Sequence, residues 1–412
     1  MNPITPVLRN PTLRLIGIAL LLLGAHNASL YPYQSLIAIE RIGLSKLAFS
    51  LVLVLASAVA VTASVIFGIL GDQHGNRRGI ALIAAASGVL GVLLMLLAPG
   101  PVSLVLCHGI LLPISSSLFG QLFALARLAS PDEGRMRDAM LGSLRSAMSV
   151  SFLAMLIFWA IAFGAGVDVM AVYLSAGLAS IGLMILLGVS WPRDGATSWQ
   201  DQRSGLNMAQ AFREIARPYV LLRLLLLGAI ASCGIIYMVL VSLVFEVSTV
   251  RDASDVALYV GLVAGWEVPC LLLLPRLAVR VSRSTLIALG AAIYTLHLIL
   301  LPVLADSPLI WALTLVAGLG GSAIIALPIV YYQDLLAGRP GTAAAMLALQ
   351  KLVSDVLGSA AFACGTFLGG YETVAIIGSA LALIGAVGLY LADRNAWLMP
   401  PSLAAITRLK AR

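Results

Sequence analysis

The sequence predicts an all-α polytopic membrane protein of about twelve transmembrane helices in two pseudo-symmetric six-helix bundles. Three observations carry this expectation. Of 412 residues, 61% are hydrophobic and only 10% charged, with a mean hydropathy of +1.03, whereas soluble domains run to about 25% charged residues. Apolar runs long enough to cross a hydrocarbon core of roughly 30 Å recur along the whole chain. A single long polar stretch, Trp191–Arg217, divides those runs into two groups.

The runs predict helices over Leu13–Ile39, Leu47–Leu70, Gly79–Leu97, Val102–Leu125, Ala139–Gly164 and Val169–Ser190 in the first group. Val220–Phe245, Val256–Pro275, Thr285–Leu304, Leu309–Tyr332, Thr342–Leu368 and Val374–Ala392 form the second. The domain reading is therefore an N-terminal bundle over 1–190, a cytoplasmic linker over 191–217, a C-terminal bundle over 218–393 and a cytoplasmic tail over 394–412. Arg9 and Arg14 ahead of Leu15–Leu23 imitate a signal peptide, but the apolar run continues to Ile39 and reads as an uncleaved first helix.

Charge placement orients the chain. Loops after the even-numbered helices carry Arg77, Arg78, Arg193, Arg203, Arg280 and other arginines, while the opposite loops offer only Arg41, Lys46 and Arg251. By the positive-inside rule both termini lie in the cytoplasm. The net charge of +7 then reflects topology and anionic lipid, and nucleic acid is not a partner. Cys107, Cys233, Cys270 and Cys364 sit singly in apolar runs, which excludes a disulfide framework and a CxxC metal site. No phosphate-cradling glycine loop and no nucleophile–base pair appears, which argues against an ATP-driven pump and against an enzyme; neither cofactor nor metal is expected.

Between the second and third helices lies Gly-Ile-Leu-Gly-Asp-Gln-His-Gly-Asn-Arg-Arg, from Gly68 to Arg78. It reads as a charged turn, with Gly71 and Gly75 supplying positive φ around a polar tip. An internal repeat is visible as well. Helix four ends Gln121-Leu-Phe-Ala-Leu-Ala-Arg127 and helix ten ends Gln333-Asp-Leu-Leu-Ala-Gly-Arg339, and the helix after each carries a buried cation, Arg145 or Lys351. The parallel order points to a duplicated six-helix unit.

An ionisable group inside a membrane helix is costly and is a functional suspect by default. Arg145, Glu267, Lys351 and Asp355 qualify, Glu267 and Lys351 standing roughly 16 Å into their spans at 1.5 Å of rise per residue. Lys351 and Asp355, spaced i, i+4, share a helix face and can neutralise each other. Glu267 has no partner within a turn, and Pro269 frees the carbonyl of Gly265 beside it. A desolvated, unpaired carboxylate suits a proton carrier, so Glu267, with Asp355, forms the proton-coupling set. Asn27, Tyr31 and Gln34 recur on one face of helix one, and uncharged amides and phenols suit polyhydroxyl ligands. His108, Ser115, Ser116, Ser117 and Gln121 line helix four, and Trp266, Tyr331 and Tyr332 offer rings for stacking on a sugar. His26, His74 and His297 read as packing or loop residues.

These residues resemble a known family. Gly68-x-x-x-Asp72-x-x-Gly75-x-Arg77-Arg78 is similar to the loop motif of the major facilitator superfamily. More closely, Gln121–Arg127, Leu144-Arg145-Ser-Ala, Ala264-Gly-Trp-Glu267-Val-Pro269 and the stretch from Gln333 to Gly341 resemble the bacterial sugar efflux transporters of that superfamily. Lys351 and Asp355 are not part of that pattern. The resemblance implies a monomeric inner-membrane exporter of small sugars or glycosides that exchanges them for protons. Substrate would meet Asn27, Tyr31, Gln34, Gln121, Arg145, Trp266, Tyr331, Gln333 and Lys351. Gly68, Asp72, Gly75, Arg77 and Arg78 would form a cytoplasmic gate, with Asp72 at the N-terminus of helix eleven. The alternative substrate class is a drug or another small amphiphilic metabolite, which the charged Lys351–Asp355 pair would suit.

Overall fold

The computed structural model describes residues 4–74, 77–130, 134–192, 216–336 and 340–395. Among them are twelve helices long and apolar enough to span a bilayer. They are α1 (Pro11–Arg41), α2 (Lys46–His74), α3 (Arg77–Leu97), α4 (Pro101–Ala126), α5 (Gly134–Gly164) and α6 (Val169–Ser190). Then follow α7 (Pro218–Glu246), α8 (Ala253–Arg280), α9 (Arg283–Val303), α10 (Ile310–Leu335), α11 (Pro340–Leu368) and α12 (Tyr371–Arg394). A short helix, Ile4–Arg9, precedes α1. Every predicted span is present, within a few residues at most ends.

Local chemistry sets the ends. Asn10 caps α1 by accepting from the amides of Thr12 and Leu13, with Pro11 at the first helical position. Asp252 and Asp255 form a capping box on α8, and Ser282 caps α9. Gly43, Gly166 and Gly370 take positive φ in the turns after α1, α5 and α11. Gly71 does not: α2 continues through it to His74, and α3 begins at Arg77. The interruption is much shorter than its glycines suggest, because a helix in a bilayer keeps its backbone bonds satisfied to the end of the span. Gly75 itself lies outside the described residues. Two spans contain wider π-helical turns, Ile37–Arg41 in α1 and Val105–Leu111 in α4.

The chain divides into two compact units, Met1–Ser45 with Leu55–Gly205, and Lys46–Val54 with Leu206–Arg412. In the first, α1 packs on α5 and α6, and α3 on α4 and α6. In the second, α7 packs on α11 and α12, and α9 on α10 and α12. These four pairings recur after a shift of six helices, whereas α8 packs on α10 with no pairing of that extent between α2 and α4 among the described residues. Leu13, Ile16 and Leu20 of α1 meet Ala84 of α3, Leu122 of α4 and Leu187 of α6 in the core of the first unit. Large apolar side chains also cover the outside, among them Leu178 at 73%, Val189 at 81% and Ile384 at 66% exposure, while Ser29, Ser35, Ser242 and His297 are fully buried. That inversion is what a hydrocarbon solvent selects.

Glycines hold the second unit's helices in close contact. A methyl group on Gly320 of α10 would lie 2.7 Å from both the Gly290 carbonyl oxygen and the Tyr294 nitrogen of α9. Gly320→Ala is therefore expected to lose about 1–3 kcal/mol, read as a lower melting temperature in detergent. Gly234→Ala, with no atom within 4 Å of the added carbon, should match or exceed wild type by about 0.5–1 kcal/mol, the helical preference for alanine.

Candidate functional site

The polar residues of each unit fall into separate constellations. In the first, Asn27, Tyr31 and Gln34 are all half-buried and share one face of α1. That face passes through a 3₁₀ turn over Tyr31–Tyr33, whose three-residue period keeps Tyr31 above Gln34. Gln121 is buried, and its Oε1 has no hydrogen-bond partner among the described residues. An amide oxygen left this way is a cost the fold tolerates only with a further partner. Arg145 is exposed on α5.

His26 and His108 are packing groups. His26 Nδ1 lies 3.2 Å from the Ala176 carbonyl oxygen and 3.0 Å from Ser180 Oγ, joining α1 to α6. His108 Nε2 lies 2.7 Å from Tyr173 Oη, which turns it toward α6 and away from the role expected of it on a ligand-facing surface of α4. Trp159 Nε1 and Ser175 Oγ both donate to Ser29 Oγ.

Of the proposed gate, Arg78 donates through Nη2 to the carbonyl oxygen of Gly188 near the end of α6. This ties the start of α3 to the end of α6, and Arg77 opens α3. Gly68 and Asp72 fall within α2, but the Asp72 side chain lies outside the described residues, as do Gly75 and the side chains of Arg127 and Gln333. In the second unit a comparable tie joins Arg283, at the start of α9, to the carboxylate of Asp334 near the end of α10.

Glu267 is half-buried in the middle of α8, which runs unbroken past Pro269. It faces two glycines of α10. A methyl on Gly318 would lie 2.5 Å from Trp266 Cβ and 3.1 Å from the Glu267 nitrogen; one on Gly321 would lie 2.9 Å from Glu267 Oε1 and 3.3 Å from Tyr294 Cε2. The carboxylate therefore rests against bare backbone beside a tyrosine ring, and forms no ion pair with any described residue. Trp266, at 42% exposure, is the open ring beside it.

Lys351 Nζ and Asp355 Oδ2 are 2.6 Å apart on α11, the lysine 58% and the aspartate 7% exposed. The pair forms as its spacing requires, with its cationic end outward.

Tyr331 belongs elsewhere. It is 2% exposed, and its hydroxyl donates to Asp393 Oδ1 at 2.8 Å while accepting from Arg223 Nε at 2.8 Å. Arg223 Nη2 also donates to Asp393 Oδ1 at 2.8 Å, and its other donors reach the Tyr219 and Ala392 carbonyl oxygens. Stacking of a sugar on Tyr331 is replaced by a buried network joining α7, α10 and α12, because the phenol finds a carboxylate and a guanidinium within reach. Tyr332 is likewise fully buried. Sequence reasoning passed over Arg223 and Asp393. The available signal was an arginine set inside a leucine run, five residues past Pro218.

Comparison with known proteins gives a consistent answer. Residues 16–363 match the family described as Major Facilitator Superfamily. A Deinococcus radiodurans protein named as a candidate sugar efflux transporter is 25% identical over 382 residues, covering 89% of this chain and 94% of its own length. Sugar efflux transporter A of Dickeya chrysanthemi is 24% identical over 290 residues, 70% of this chain and 72% of its own. Among solved structures, the nucleoside transporter NupG (D323A mutant) superposes with a TM-score of 0.77 at 14% identity, covering 93% of this chain and 99% of that one. A peptide transporter, POT, in complex with sulfate gives 0.72 at 12%, with coverage of 94% and 96%. Twelve spanning helices, a repeated six-helix pairing and a family match over most of the chain have one reading: this multi-pass membrane protein belongs to the major facilitator superfamily of transporters.

Proposed function

We propose that this transporter exports small sugars or glycosides across the inner membrane in exchange for protons. The observation that carries this reading is Glu267, a mid-span carboxylate with no ion-pair partner among the described residues, set against Gly321 beside the exposed ring of Trp266. A carboxylate held without a counter-ion in a membrane helix is stable only if it can be protonated. Proton binding at Glu267 from outside and sugar binding from the cytoplasm exclude each other, so inward proton flow drives sugar outward. Both termini and the even-to-odd loops face the cytoplasm, Asp72 and Arg77 latch the inner side, and the protein works as a monomer.

Sugar as substrate is supported by the names of the two relatives and by the uncharged face of Asn27, Tyr31 and Gln34. Asp355 and Lys351 favour a second reading, export of a charged or zwitterionic amphiphile, since the lysine presents its charge outward. Purified protein in inverted proteoliposomes, given an imposed pH gradient, separates the two. Accumulation of neutral mono- and disaccharides supports sugar export. Accumulation of charged amphiphiles alone moves the assignment to the second class.

A further inference from the structure

Beside Glu267 the second unit buries a cluster of titratable rings contributed by α7, α8 and α9. His297 Nε2 lies 3.0 Å from Tyr259 Oη, and the two rings stack with centroids 6.1 Å apart. Tyr237 sits 5.1 Å from His297 and 6.1 Å from Tyr294, centroid to centroid, and Tyr294 sits 5.1 Å from His297. Tyr294 in turn flanks Gly321 together with the Glu267 carboxylate. At the other end Tyr259 lies 6.3 Å from Trp311, and the Arg251 guanidinium covers Trp311 at 5.2 Å. The cluster thus reaches from Glu267 in mid-span to the α7–α8 turn at the membrane surface.

Two polar atoms in it have no hydrogen-bond partner among the described residues: Tyr237 Oη and His297 Nδ1. Both are buried, and a buried polar group left unmatched is destabilising. A core built only for packing would use Phe and Leu here. A water shared by the two atoms would satisfy both.

We propose that Tyr259, His297 and Tyr237 form the outer proton path to Glu267, a reading that rests on Glu267 being the proton carrier. In the tautomer with the proton on Nδ1, Tyr259, itself fully buried, donates its hydroxyl proton to His297 Nε2 and is reprotonated from the outer side of the unit. The Nδ1 proton passes to the water beside Tyr237, and that water protonates the Glu267 carboxylate. One proton leaves the outer solution and one arrives on Glu267; the imidazole ends as its other tautomer and never carries net charge. The titratable groups around the ring are Tyr237 from α7, Tyr259 from α8 and Tyr294 from its own helix, with Cys233 of α7 beside Tyr294. α10 presents Trp311, and α12 presents Ser379, bonded to the Thr295 carbonyl.

The test needs no substrate. Full-length protein in proteoliposomes on a solid-supported membrane is given a jump in outer pH, and the transient current is recorded. Wild type displaces charge as Glu267 protonates, and Glu267→Gln removes that charge. Tyr259→Phe and His297→Gln are expected to keep the total displaced charge but slow the transient by roughly 100-fold, the usual contribution of a positioned proton donor. Tyr237→Phe, which keeps the ring packing, should slow it in the same sense. If Glu267→Gln removes the current while all three variants relax at the wild-type rate, the path is wrong and the carrier stands. A wild-type current that is missing, or that survives Glu267→Gln, overturns the carrier and the path with it.

Discussion

Glu267→Gln is expected to abolish pH-driven transport while leaving exchange of substrate for substrate intact. Glutamine keeps the side-chain volume but can neither bind nor release a proton, so no proton competes with sugar and the pH gradient has nothing to act on. Exchange needs only alternating access with substrate bound and does not require the proton to leave. The expected loss in gradient-driven flux is roughly 100-fold, near the upper end of the usual range of coupling free energies, about 1–3 kcal/mol. The amide is close in size to the carboxylate, which rests against the backbone of Gly321 and forms no ion pair with a described residue. Parallel measurements of counterflow and gradient-driven uptake in proteoliposomes decide the matter: survival of pH-driven flux assigns the coupling proton to another group.

Arg223→Ala should produce the largest loss of stability. The guanidinium is fully buried and Asp393 is 12% exposed, so truncation strands a carboxylate that has also engaged Tyr331. Breaking a buried pair from one side costs about 3–5 kcal/mol. The paired replacement Arg223→Met with Asp393→Leu should recover most of this, since it removes both charges at similar volume. Tyr331→Phe should cost about 1 kcal/mol, one hydrogen bond. Melting temperatures in detergent rank the three variants. An Arg223→Ala protein as stable as wild type would mean the network adds nothing to the fold.

Why some of this was legible in the sequence and some was not follows from the range of the interactions. Apolar runs and basic flanks are local, so twelve spans and the seam between two groups could be read directly. The Lys351–Asp355 pair is equally local, one helical turn apart. Asp393, by contrast, lies 170 positions beyond Arg223, and no spacing rule reaches that far. Arg223 also stands early in α7, where an arginine looks like an ordinary flanking charge. Tyr331 was misread for the same reason, its partners being remote. His297 was read as packing, and it does pack, but its link to Tyr259 on another helix has no local signature. The Gly68–Arg78 stretch misled in the opposite direction. Its glycines suggested a loop, while the helix continued through Gly71 because the surrounding apolar residues favour it.

The glycines of α10 have a mechanical consequence. Where backbone touches backbone, as at Gly318 on Trp266 and Gly320 on Gly290, there is no side chain to yield. Sliding α10 lengthwise against α8 or α9 would press atoms together where the spacing is sized for hydrogen. The close contacts of α10 with α8 and α9 therefore resist sliding of one helix along another beside Glu267. Bending within the second unit is thus easier away from these contacts than at the place where Gly318 and Gly321 meet Trp266 and Glu267.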